Sequence, residues 1–67
     1  MTPKSLIKIL ESHGFVFHRQ RGSHLVFKHP QKPGKIVVVP SHKKDLRIGT
    51  LRGILRQAGL DTDVLFK

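Results

Sequence analysis

Sixty-seven residues with thirteen Lys and Arg, four Asp and Glu and no cysteine describe one small, strongly basic unit with a formal net charge of +9. A chain this short buries only about 60% of its unfolded surface, so a second core is excluded and one domain over residues 1–67 is expected. Without cysteine there is neither a disulfide framework nor thiolate-bound zinc, and the core must hold by apolar packing alone in a reducing setting. No apolar run approaches the roughly 18 residues of a membrane span, and the N-terminus lacks a signal-peptide pattern, so a cytoplasmic protein with no membrane partner is expected.

In chain order, Thr2-Pro3 is a helix start: a hydroxyl that can cap an orphan N–H, then a proline already at helical φ. Leu6, Ile7, Ile9 and Leu10 form an apolar stripe, and Gly14 supplies a left-handed stop, predicting a helix over 3–13. Phe15 to Gln20 and Ser23 to Lys28 are two β-rich runs around Arg21-Gly22, the pattern of a tight hairpin. His29 to Gly34, rich in Pro and Gly, makes the next turn. Lys35 to Val39 is a continuous β-branched run suited to a well-buried strand, ended by Pro40. Ser41 to Ile48 is a basic connection of the kind that often carries function. Gly49-Thr50 opens a second helix with Leu51, Ile54, Leu55 and Ala58 on one face and Gly59 as its stop. Asp61-Thr62-Asp63 then caps a single docked turn containing Val64, Leu65 and Phe66.

The order α-β-β-β-α implies an α+β fold in which both helices cover one face of a three-stranded antiparallel sheet and leave the other face open. Charge is placed unevenly along it: residues 1–44 hold nine Lys and Arg against one Glu, whereas residues 45–67 hold four against three Asp. The first two thirds should therefore form an anion-facing surface, with nucleic acid the leading partner and an acidic protein the second.

The informative stretch is Gly22-Ser23-His24-Leu25-Val26-Phe27, where a turn presents an imidazole at a strand end of a basic domain. With an ordinary pKa near 6.5, such an imidazole can take a proton from a ribose 2′-hydroxyl or give one to a leaving 5′-oxygen. It can equally be a half-exposed strand residue with no chemistry. If Arg21-Gly22 is a two-residue loop, Arg19 lies opposite His24 and Phe17 opposite Val26, with Lys28 further along the same face. Arg19, Arg21 and Lys28 are then candidate phosphate contacts, or solvated strand cations. Gly22 and Ser23 either touch RNA or serve the turn. Lys43 and Lys44 precede the second helix, whose N-terminal N–H groups favour anions, and are a further candidate RNA contact. His42 is a second acid-base partner or a residue tying its loop down. The five histidines, His13, His18, His24, His29 and His42, show neither helical i, i+4 nor alternate-strand spacing, so no metal site and no cofactor are expected.

Read together, Gly14-Phe15, Gly22-Ser23-His24 with Phe27 and His29-Pro30, Val37-Val38-Val39-Pro40 with His42, Gly49-Thr50-Leu51-Arg52 and Ile54 through Leu60 resemble the HicA toxins, messenger-RNA interferases paired with HicB antitoxins. The resemblance implies a fold similar to double-stranded RNA-binding domains and a catalytic role for His24. It further implies an endoribonuclease that cuts mRNA with a single catalytic histidine and no metal and is neutralised by a HicB-type partner; on size and polarity the free protein is expected to be a monomer. A binding module of the same fold that holds structured RNA without cutting it is the rival reading, and a purely protein-binding unit with a basic face is a third.

Overall fold

The computed structural model describes the backbone of residues 1–66 and the side chains of residues 1–65. Helix α1 spans Pro3–Ser12, strands β1, β2 and β3 span Val16–Arg21, His24–Lys28 and Ile36–Pro40, and helix α2 spans Ile48–Ala58. A short 3₁₀ turn, Thr62–Phe66, follows. The strands pair antiparallel in the order β1-β2-β3, so β2 is central, and the fold is the expected α+β arrangement of two helices and one sheet.

The ends of the helices follow from local chemistry. Thr2 Oγ1 accepts the Ser5 N–H at 3.1 Å, and Pro3 follows at the first helical position, where its missing N–H costs nothing. At the far end of α2, Gly59 takes the left-handed conformation, φ 73°, that an L side chain resists. α2 starts after Arg47 with no side-chain cap and no acidic residue in its first turn.

Both helices lie on one face of the sheet. Leu6 and Leu10 from α1 and Leu51, Ile54, Leu55 and Ala58 from α2 close over Phe27, Val37 and Val39, with Phe15 and Leu46 sealing the margins. Leu6, Leu10, Val37 and Val39 are fully buried. Met1, Ile7, Leu25, Leu60, Val64 and Leu65 pack against this core, so the last turn docks as the sequence implies, up to the Phe66 side chain and Lys67, which lie outside the described residues.

Two strand expectations need correction. The run Lys35 to Val39 is buried on one face only: Val37 and Val39 are inside, while Ile36 and Val38 are 46% and 38% exposed, because only one layer of helices covers the sheet. The hairpin also has a different register. Arg21 pairs with His24, so the loop is Gly22-Ser23 rather than Arg21-Gly22. Gly22 takes φ 58° and Ser23 does not follow it to positive φ, the type II′ requirement of glycine at the first loop position. Arg19 therefore lies opposite Val26, not opposite His24. A bulge between Phe17 and Arg19 absorbs His18, which sets Phe17 opposite Phe27 instead of Val26.

One buried histidine is explained by packing. The His29 ring is 8% exposed and meets Phe15 edge-on at 5.1 Å between centroids. Its Nε2 donates to the His13 carbonyl at 3.0 Å and its Nδ1 accepts the Gln31 N–H at 3.2 Å, so the geometry selects the neutral Nε2–H tautomer. Both ring nitrogens are satisfied, and His29 joins the end of α1 to the β2–β3 turn.

Candidate nucleic-acid interface

On the face that the helices leave bare, strand alternation and register set the side chains in rows. Arg21, His24 and Pro40 form one row, Arg19, Val26 and Val38 the next, and Val16, Lys28 and Ile36 the third. The central valine, Val26, is 8% exposed although it lies outside the hydrophobic core cluster: its neighbours on this face cover it. Arg19, Arg21, His24, Val26, Ile36 and Val38 line an open depression of about 450 Å³. Its floor is aliphatic and one end carries two guanidiniums and an imidazole.

The register correction improves the electrostatic case. Arg21, not Arg19, is the direct cross-strand neighbour of His24, and Arg19 follows one row on, so two cations flank the imidazole along β1. Among the described residues the one ion pair joins the Met1 ammonium to Asp45, far from this row, so no carboxylate neutralises Arg19 or Arg21. An open groove with uncompensated guanidiniums suits a phosphodiester, which Arg can grip bidentately. Lys28 shares the face but sits four residues along β2, about 13 Å from His24 at 3.3 Å per residue, too far for one phosphate to touch both.

Gly22 and Ser23 form the turn itself. The Ser23 carbonyl accepts both the Ser41 N–H and the Ser41 hydroxyl at 2.7 Å, tying the β1–β2 turn to the end of β3. The Gly22 carbonyl accepts from Gln20 Nε2 at 2.8 Å. Ser41 thus has a positioning part that the sequence did not single out, since its partner is 18 residues away. Immediately after it, His42 lies beside His24, ring centroids 6.4 Å apart.

Lys43 lies apart from the sheet groove. With Asp45, Leu46, Arg47 and Thr50 it borders a smaller depression of about 160 Å³ beside the start of α2, and Lys44 is exposed next to it. This loop is pinned at its far end: the Leu46 N–H donates to the Met1 carbonyl at 2.7 Å and the Met1 ammonium meets Asp45 Oδ1 at 2.6 Å. That ammonium holds the Asp45 carboxyl below its ordinary value. The histidines do not gather: among the described residues no three His, Cys, Asp or Glu side chains converge on a point. Among the described residues no helix is long and apolar enough to cross a membrane.

No curated protein matches the chain closely enough to count as a relative. The family model for the HicA toxin of bacterial toxin–antitoxin systems does match, over residues 3–60, from the first residue of α1 through the docked Leu60 and across every strand. The element order, the hairpin that carries Gly22-Ser23-His24 and the loop with His42 all fall inside that match, and the chain belongs to the HicA toxin family.

Proposed function

We propose that this toxin is an endoribonuclease that cuts mRNA, with His24 moving a proton in the cleavage and Arg19 and Arg21 holding the phosphate. The observation that carries this reading is the pairing of Arg21 with His24 at the mouth of a groove whose cations have no acidic partner among the described residues. RNA brings its own nucleophile, the 2′-hydroxyl, so the protein needs only to position the phosphate, stabilise its growing charge and handle protons. The arrangement supports that division: guanidiniums for the charge, an exposed imidazole for the proton. Gly22 supplies the turn that brings the two strands together, Ser23 anchors it, and Lys28, Lys43 and Lys44 contact flanking phosphates.

The same face suggests how the toxin is restrained. A HicB-type antitoxin with acidic side chains around an apolar centre would match the cations and the Val26, Ile36 and Val38 floor together, covering His24 by competition with RNA. The free toxin is then a monomer with this face exposed. The rival reading, a module that binds RNA without cutting it, shares every contact and differs only in what His24 does.

Incubating the purified protein and its His24→Ala variant with RNA separates the two. Wild-type cleavage that disappears in a folded His24→Ala protein which still binds RNA supports the nuclease. Binding without cleavage by the wild type contradicts it.

A further inference from the structure

The histidine assigned above leaves one proton unaccounted for. When a 2′-oxygen attacks the adjacent phosphate in line, one proton leaves the 2′-hydroxyl and another must reach the 5′-oxygen on the opposite side of phosphorus. A single rigid imidazole cannot stand on both sides at the moment of transfer, so the second proton comes from water or from a second side-chain group within reach of the same phosphate.

We infer that His42 is this second group, and that His24 and His42 divide the base and acid roles across one phosphodiester; the inference rests on the ribonuclease reading above. Their ring centroids are 6.4 Å apart and the rings are steeply inclined, 73° between planes. Among the described residues no hydrogen bond joins them to each other or to any other group. Rings this close leave no room for a phosphoryl group between them, but their exposed edges can each reach a different oxygen of one phosphodiester lying across the pair, at hydrogen bonds of about 2.6–3.2 Å. Both rings are exposed, with Arg21 beside His24 in the same row to bind the non-bridging oxygens.

The backbone holds this spacing. His24 begins β2 and Pro40 ends β3 directly opposite it, and the double hydrogen bond from Ser41 to the Ser23 carbonyl locks the residues just before each histidine. The loop does not depend on His42 for its own anchorage. Ser41 fixes one end, and Leu46, buried and bonded to Met1, fixes the other. An exposed side chain that anchors nothing, aimed at the proposed proton-transfer residue by two hydrogen bonds to its neighbour, is placed for chemistry rather than for stability.

In the step itself, one imidazole accepts the proton as the O2′–H bond breaks and the O2′–P bond forms. The other, as imidazolium, gives its proton to O5′ as the P–O5′ bond breaks. The products are a 2′,3′-cyclic phosphate and a 5′-hydroxyl, and exchange with water resets both rings. No oxidant, metal or further reactant enters the balance.

The test uses the full chain and an RNA oligonucleotide spanning a cut site mapped with the wild type, made once with ordinary oxygen and once with sulfur in place of the bridging 5′-oxygen. Sulfur leaves without protonation, so it rescues loss of the acid but not loss of the base. His42→Ala should cut the oxygen substrate about 10²–10⁴ times more slowly than wild type while melting at the same temperature. One of the two variants, His24→Ala or His42→Ala, should regain most of its rate on the sulfur substrate and the other should not. If His42→Ala melts early, His42→Gln takes its place. A wild-type rate for His42→Ala on oxygen, or failure of sulfur to rescue either variant, overturns the assignment and leaves the nuclease reading standing. Absence of RNA cleavage by the wild type overturns both.

Discussion

The two faces of the sheet are made by the same three strands and have opposite fates. Inward, Phe27, Val37 and Val39 are sealed under α1 and α2; outward, one residue further along β2 and β3, Lys28, Val38 and Pro40 share the bare face with His24 and Arg21. Away from the bulge at His18, alternation assigns each strand side chain to one of these faces, so fold and function occupy interleaved residues and can be changed separately. The covered face determines whether the chain folds. The bare face, where among the described residues no ion pair engages the cations, is the one we propose for binding.

The largest effect should come from the covered face. Leu55→Ala, at 1% exposure in the middle of the core, should cost about 2–5 kcal/mol, a large part of what about 67 residues at 0.05–0.15 kcal/mol each can supply. Urea denaturation should show it largely unfolded, whereas His24→Ala and His42→Ala should stay within about 0.5 kcal/mol of wild type. Core-like losses for either histidine would break the separation.

Next in size is Gly14, which closes the covered face at the end of α1. Its φ is +94°, and a Cβ there would lie 2.6 Å from His29 Nε2. Gly14→Ala should therefore displace the His29 ring and cost at least about 1–3 kcal/mol, read as a lower melting temperature. A neutral outcome would show that the His13–His29 link is not needed for the fold.

These two predictions concern parts of the molecule with unequal legibility in the sequence. Helix limits were readable because they are local: a hydroxyl before a proline at Thr2-Pro3, a left-handed glycine at Gly59. The hairpin register was not. Arg21-Gly22 and Gly22-Ser23 differ by one residue, and β1 is exposed throughout, so no burial pattern marks its bulge at His18. The β-branched run at Lys35 to Val39 hid its alternation, since both its inward and outward residues are apolar. The order of the candidate site was visible in Gly22-Ser23-His24. The approach of His42 was not, because it depends on Ser41 bonding a residue 18 positions away.

In the loop before α2, neutralising cations should weaken RNA binding without touching stability. Lys43→Ala with Lys44→Ala should lower the slope of log affinity against log salt by about one to two, as loss of one or two phosphate contacts requires. An unchanged slope, from binding titrations at several salt concentrations, would remove this loop from the RNA surface.

The smallest effect should be at the loop's anchor. The folded Asp45 carboxyl sits below its ordinary value of 3.8 because the Met1 ammonium bonds and attracts it. A depressed carboxylate stabilises the fold above its unfolded pKa, and that contribution fades as pH drops through the lower folded value. Protection of the residue 43–47 amides, taken relative to their intrinsic exchange at each pH, should thus fall on acidification below about pH 4, and Asp45→Asn should already be less protected at neutral pH. Equal protection in wild type and Asp45→Asn at pH 7 would show that the ion pair does not hold the loop.

RNA is proposed to lie on the bare face of the sheet, at the end where Arg21, His24 and His42 meet. Amide chemical shifts of the His24→Ala protein titrated with uncut RNA test it most directly. Perturbations centred on Arg19, Arg21, Leu25, Val26, Val38 and residues 41–44, with the outer surfaces of α1 and α2 quiet, are the predicted result. A footprint confined to the exposed sides of α1 and α2, with the sheet residues unmoved, would contradict it.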